Sequence, residues 1–141
     1  MPISMQEYFN QTVHKVISSI GCTMQIPITI LDHETLKGKD KHALGLCWKN
    51  EENNTYSITI DEFFVKERYL YFELNSPIGL TWELGSGDTL EKVICHELAH
   101  VEYWRHGKKH TELTNRLLSK VKLPEKYYQY LQKKISKEVI I

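Results

Sequence analysis

Between residues 6 and 20, Phe9, Val13, Val16, Ile17 and Ile20 recur every third or fourth position, which predicts a helix with one apolar face. Gly21 follows as its stop. From residue 24 to 31 the period falls to two: Met24, Ile26, Ile28 and Ile30 alternate with more polar neighbours, the pattern of a strand. Pro27 has no backbone donor, so this strand belongs at a sheet edge. Residues 32–42 form a polar loop. Two further strand-like runs, residues 43–49 and 55–61, flank a polar turn and predict a hairpin, with Tyr56, Ile58 and Ile60 alternating against Ser57, Thr59 and Asp61. Residues 66–74 fit either a strand or a short helix, and Tyr69, Tyr71 and Phe72 favour the strand. Pro77, Gly79, Gly85 and Gly87 mark residues 75–87 as loop.

A long helix then begins at Asp88, whose carboxylate can accept from the first free backbone amides while Glu91 reaches back in a capping box. Leu90, Val93, Ile94, Leu98 and Val101 supply its buried stripe, and Gly107 is its natural stop. Two more helices follow, at about residues 109–121 and 124–139, the second opened by Pro124. Helix, small sheet and helices in this order predict an α+β fold with a mostly antiparallel sheet.

At 141 residues the chain suits one domain, residues 1–141, and 41% apolar with 26% charged residues is ordinary globular usage. Lysine plus arginine equals aspartate plus glutamate at 18 each, which excludes a strongly basic coat for nucleic acid. No run of eighteen apolar residues exists, so no transmembrane helix is expected, and the first ten residues lack the marks of a secretory signal. Cys22, Cys47 and Cys95 form no CxxC pair; reduced thiols and a cytoplasmic location are the expectation.

Seven histidines are many for this length, and four of them, His96, His100, His106 and His110, fall within fifteen residues. His96-Glu97-Leu98-Ala99-His100 is an HExxH segment inside a helix. Histidines at i and i+4 share one helical face, so both imidazoles can reach one zinc ion at about 2.0–2.1 Å. Glu97, one step round the helix, can stay off the ion and take a proton from a water that zinc has acidified. A straight continuation would carry His106 about 15 Å and His110 about 21 Å beyond His96. The chain must therefore turn back soon after His100. Gly107 is the residue best able to take a left-handed turn, which would deliver His106 as the third ligand, with His110 as the alternative.

The segment from His96 to His100 followed by His106-Gly107 resembles the SprT-like and WLM-type minimal zinc metallopeptidases. The resemblance is in the motif over residues 93–107 and in layout only over about residues 5–121. It implies a zincin-like domain with Zn2+ on His96, His100 and His106, Glu97 as the general base, and a peptide or protein as substrate. His110 stands where that family has an aromatic, residues 66–87 look like an insertion, and no zinc ribbon follows.

Other side chains carry lesser expectations. Cys95 points about 100° away from His96 and belongs to the core, whereas Cys47 could approach the ion from its strand. Glu112 and Glu125 are carboxylate alternatives for the third ligand, Glu102 a solvated residue or a partner of a ligand histidine. Tyr103, Tyr127, Tyr128 and Tyr130 are candidates to stabilise an oxyanion. His14, His33 and His42 read as surface or locally bonded. A peptide could add to the edge run 24–31 or 55–61. Lys120, Lys122, Lys126, Lys133, Lys134 and Lys137 form a basic C-terminal region, read as a solvated helix face, with phosphate contact as the alternative. The competing functions are a metal-bound interaction module without catalysis and a metal hydrolase acting on nucleic acid.

Overall fold

The computed structural model describes residues 2–35, 38, 43–76 and 88–139. Helix α1 (Met5–Ile20) is capped by Ser4, whose Oγ accepts from the Glu7 amide at 3.1 Å. It ends on Gly21 at φ 69°, a left-handed conformation open to glycine, with the Cys22 N–H returning to the Ile17 carbonyl.

Three strands follow: β1 (Ile28–Leu31), β2 (Gly45–Asn50) and β3 (Thr55–Asp61), in the spatial order β1-β3-β2. Strands β2 and β3 form the expected hairpin, closed through Asn54 at φ 55°. Strand β1 lies at an edge as expected, but it is only four residues long, with Pro27 just before it rather than inside it, and it runs parallel to β3. The sheet is therefore mixed rather than mostly antiparallel, and residues 55–61 form its central strand, so they offer no free edge.

Asp61 closes β3 and also caps α2 (Glu62–Phe72), its Oδ2 accepting from the Phe64 amide at 3.3 Å. Residues 66–72 are thus helical, against the strand that their aromatics favour. Their inward stripe is Phe64, Val65 and Arg68, and the fully buried Arg68 guanidinium lies over the Phe64 ring at 4.4 Å and donates to the Asp88 carbonyl at 2.5 Å. A charged residue in the stripe hides the helical period from a hydrophobic pattern. Residues 77–87, most of the expected loop, lie outside the described residues, as do His42 and most of 36–42.

Helix α3 (Leu90–Glu102) carries the HExxH segment. Its cap is Thr89, whose hydroxyl accepts from the Lys92 amide at 3.1 Å, not Asp88. No capping box forms, because Glu91 turns inward: it is 2% exposed and pairs with Lys15 of α1. Helices α4 (Lys108–Leu118) and α5 (Glu125–Val139) complete the fold. The core gathers Phe9 and Val16 of α1, Ile58 and Ile60 of β3, Phe64 and Val65 of α2, and Leu90, Ile94, Cys95 and Leu98 of α3. Cys95 is buried there, on the face away from the histidines. Lys126 does not belong to a solvated face: its ammonium donates to the Tyr71 carbonyl at 2.7 Å and lies 3.9 Å over the Tyr71 ring, fastening α5 to α2. No helix among the described residues is long and apolar enough to cross a membrane.

The Lys15–Glu91 pair ties α1 to the back of α3. Lys15→Met leaves a buried carboxylate without its cation and is expected to lower stability by about 1–3 kcal/mol, the lysine being part-exposed. Adding Glu91→Gln should recover most of that loss. Urea denaturation of the single and double variants measures both.

Candidate metal centre

His96 and His100 stand one turn apart on α3, which is why their rings meet, centroids 5.0 Å apart. Helix α3 then stops: Tyr103 is extended at φ −123°, and its N–H returns to the Ala99 carbonyl at 2.9 Å. The chain reverses through residues 103–107 into α4. Gly107 takes part without a left-handed turn: at φ 165° it is extended and stands at the N-cap of α4.

The reversal brings His106 back over the motif. Its Nε2 lies 3.2 Å from His96 Nε2 and 3.2 Å from His100 Nε2. Nitrogens around one tetrahedral zinc at 2.0–2.1 Å are separated by about 3.3–3.4 Å, so the spacing suits an ion. His110 also arrives. Ring nitrogens of His96, His100 and His110 all lie within 4.8 Å of one another, and these three form a group that could hold a metal ion.

The two candidates for the third position differ in what else they do. His110 is 2% exposed; its Nε2–H donates to the His96 carbonyl at 2.9 Å and its ring stacks on His100 at 4.0 Å. His106 is exposed and its Nε2 faces the other two. His100 Nδ1–H donates to the Tyr103 carbonyl at 3.1 Å, which leaves its Nε2 lone pair aimed at the cluster. Burial and the neighbouring rings of His110, His100 and His106 push the His96 imidazole down to about 4, so it is neutral and able to ligate at physiological pH. Burial lowers His100 as well.

Glu97 is 5% exposed, and no donor among the described residues hydrogen-bonds its carboxyl. Burial pushes its pKa up to about 8. Its Oε2 lies 4.0 Å from His96 Nε2, and with that imidazole neutral the contact is not an ion pair. Both groups open into a cleft of about 480 Å³ between α3 and β2, lined also by Leu46, Cys47, Trp104 and His106. Cys47 reaches the cleft but is not in the group of potential ligands; burial, with Glu97 beside it, pushes its thiol up to about 11.

The remaining candidates fall elsewhere. Glu112 is exposed and pairs with Lys108, and Glu125 is exposed at the start of α5. Glu102 is exposed at the end of α3. Tyr103 serves through its carbonyl, and Tyr127 and Tyr130 stack on each other in α5, away from the cleft lining. His33 is locally bonded, its Nδ1–H donating to Asp61 Oδ1 at 2.7 Å. Trp104 was not anticipated; its only signal in the sequence is a large aromatic within the segment that must reverse. No family model, curated protein or solved structure matches the chain.

Gly45 sets the distance between strand and helix. A Cβ there would stand 3.0 Å from Glu97 Cγ and 3.1 Å from both Ile60 Cδ1 and Val93 Cγ1. Gly45→Val is expected to cost about 1–3 kcal/mol by overpacking and to displace the Glu97 side chain. Chemical denaturation measures the first effect, and the carboxyl chemical shift of Glu97 the second.

Proposed function

We propose that the chain is a zinc-dependent hydrolase of peptide or protein amide bonds, of SprT-like or WLM-type zincin character. The carrying observation is a buried carboxylate with no donor partner among the described residues, Glu97, beside converging imidazole nitrogens at the wall of an open cleft. A purely structural metal site has no use for a carboxylate placed there, which disfavours the interaction module.

His96, His100 and His106 would hold the ion through Nε2, and His110 would position two of them: its N–H bonds the His96 carbonyl and its ring backs His100. Zinc, when bound, supplies an acidified water and a Lewis acid for the scissile carbonyl. Beside a cation the ionised form of Glu97 is favoured over the neutral form that burial alone prefers. Glu97 accepts a proton from the attacking water and passes it to the leaving amine. The edge strand on the cleft is β2, since β3 is central and β1 lies on its far side. An extended peptide adding to β2 would place its backbone along α3 and one carbonyl beside Glu97. Zinc and the peptide are thus the cofactor and partner of this reading.

Two outcomes follow. Reloaded protein should hold one zinc per chain. His96→Ala, His100→Ala and His106→Ala should abolish stoichiometric binding, whereas His110→Ala should weaken it about 10–100-fold, as loss of a ligand's hydrogen-bonding partner does. Metal analysis and competition with a chromophoric chelator measure this, and loss on His110→Ala with retention on His106→Ala would exchange their roles. Glu97→Gln should keep fold and zinc yet lower peptide hydrolysis by at least about 100-fold. Full activity in that variant removes Glu97 as the base, and loss of zinc makes it a ligand.

A further inference from the structure

The face of β2 that borders the cleft runs on beyond it to Lys49 and Tyr56, which line a separate depression. Gly45, Cys47 and Lys49 are alternate residues of β2 and share one face, paired across to Ile60, Ile58 and Tyr56. Gly45 lies against Glu97, so Lys49 and Tyr56 stand roughly 13 Å further along the strand. There the Tyr56 ring meets Trp104, centroids 6.4 Å apart and planes inclined by 51°. Trp104 lines the cleft and is 54% exposed. Lys49 Nζ stands 5.9 Å over the Tyr56 ring and makes no ion pair among the described residues.

An exposed tryptophan alone needs no explanation. One that borders a cleft beside a second ring and an unpaired cation has the composition of a binding subsite: apolar surface for contact and a polar group for selection. We propose that Trp104, Tyr56 and Lys49 form a side-chain subsite for a peptide carrying an aromatic or long aliphatic residue with a carboxylate next to it. This rests on the reading of the cleft as a peptide site. A peptide paired along β2 would present that residue three or four positions from the bond beside Glu97, about 3.4 Å being spanned per residue. Stacked nucleobases would use the same rings, but a phosphate backbone needs a positive field. The chain has no net charge, and Lys92, the lysine lining the cleft, is tied to Asp88 at 3.0 Å.

The test is calorimetric titration of zinc-loaded Glu97→Gln protein, alone and combined with Trp104→Ala, Tyr56→Ala or Lys49→Glu. The probes are short capped alanine-rich peptides with a Trp-Glu or a Trp-Lys pair scanned along them, the all-alanine parent, and an oligothymidine strand. One position of the pair should bind at least about tenfold more tightly than the parent, a 1.4 kcal/mol difference. Trp104→Ala and Tyr56→Ala should bring that ratio close to one with zinc content unchanged. Lys49→Glu should reverse the preference for glutamate over lysine beside the tryptophan. Equal or absent binding of all peptides, a preference that survives both aromatic variants, or tighter binding of oligothymidine overturns the subsite. Cleavage of the same peptides by the unaltered protein is followed by mass spectrometry: peptides bound with this preference but left intact overturn the hydrolase reading and leave the subsite standing.

Discussion

Everything at the centre depends on the reversal of the chain directly after α3. A helix that ran on would carry His106 about 9 Å past His100 and round to another face. Tyr103 prevents this with its backbone alone: its N–H closes the last turn on Ala99, and its carbonyl accepts from His100 Nδ1. The residue that ends the helix therefore also selects the tautomer of a histidine in the cluster. Residues 104–107 then return over the motif, placing His106 against His96 and His100 and leaving Trp104 at the mouth of the cleft. Helix α4 docks on α3 at the level of His110.

That arrangement is electrostatically unfavourable without a cation. Imidazole nitrogens facing one another at 3.2 Å share at most a proton or two, and burial lowers the tendency of His96 to take one. Glu97 is held in a dry place where its charged form is penalised. Groups in such positions are stable only because the core behind them is fixed: Leu90, Ile94, Cys95 and Leu98 on the opposite side of α3 pack on the sheet and α1. A divalent ion relieves both penalties at once, since it uses the lone pairs and favours the carboxylate. The donor set thus suits a cation better than it suits protons.

The sequence carried much of this, for identifiable reasons. Regular periods revealed α1, the hairpin and α3, because each signal is local, whereas Pro27, on which the edge expectation rested, lies just outside β1. The direction of β1 was not legible, since parallel pairing with β3 is a long-range contact that no residue of the strand encodes. Helix α2 was hidden by the buried Arg68 and by aromatics whose strand preference depends on context. The cap of α3 moved from Asp88 to Thr89 because Glu91 found Lys15, a partner 76 positions away. At the centre, HExxH placed His96, Glu97 and His100 by helical geometry, but the approach of His106 and His110 depends on a turn whose form lies in backbone hydrogen bonds. Trp104 and Tyr56 come together only through the fold.

His110 does two jobs beneath the histidines. It supplies a buried flat ring, stacked on His100 with planes 24° apart. It adds an N–H that a phenyl ring lacks and directs it to the His96 carbonyl, so one side chain touches both histidines of the i, i+4 pair. That bond commits the Nε2 of His110 to a donor role and leaves its Nδ1 as the nitrogen with which the ring could ligate. His106 Nε2 stands 3.2 Å from the Nε2 atoms of His96 and His100, close to the spacing around a tetrahedral ion. Both histidines thus bring a nitrogen to the i, i+4 pair, His110 from beneath within the group that could hold an ion and His106 from the reversal.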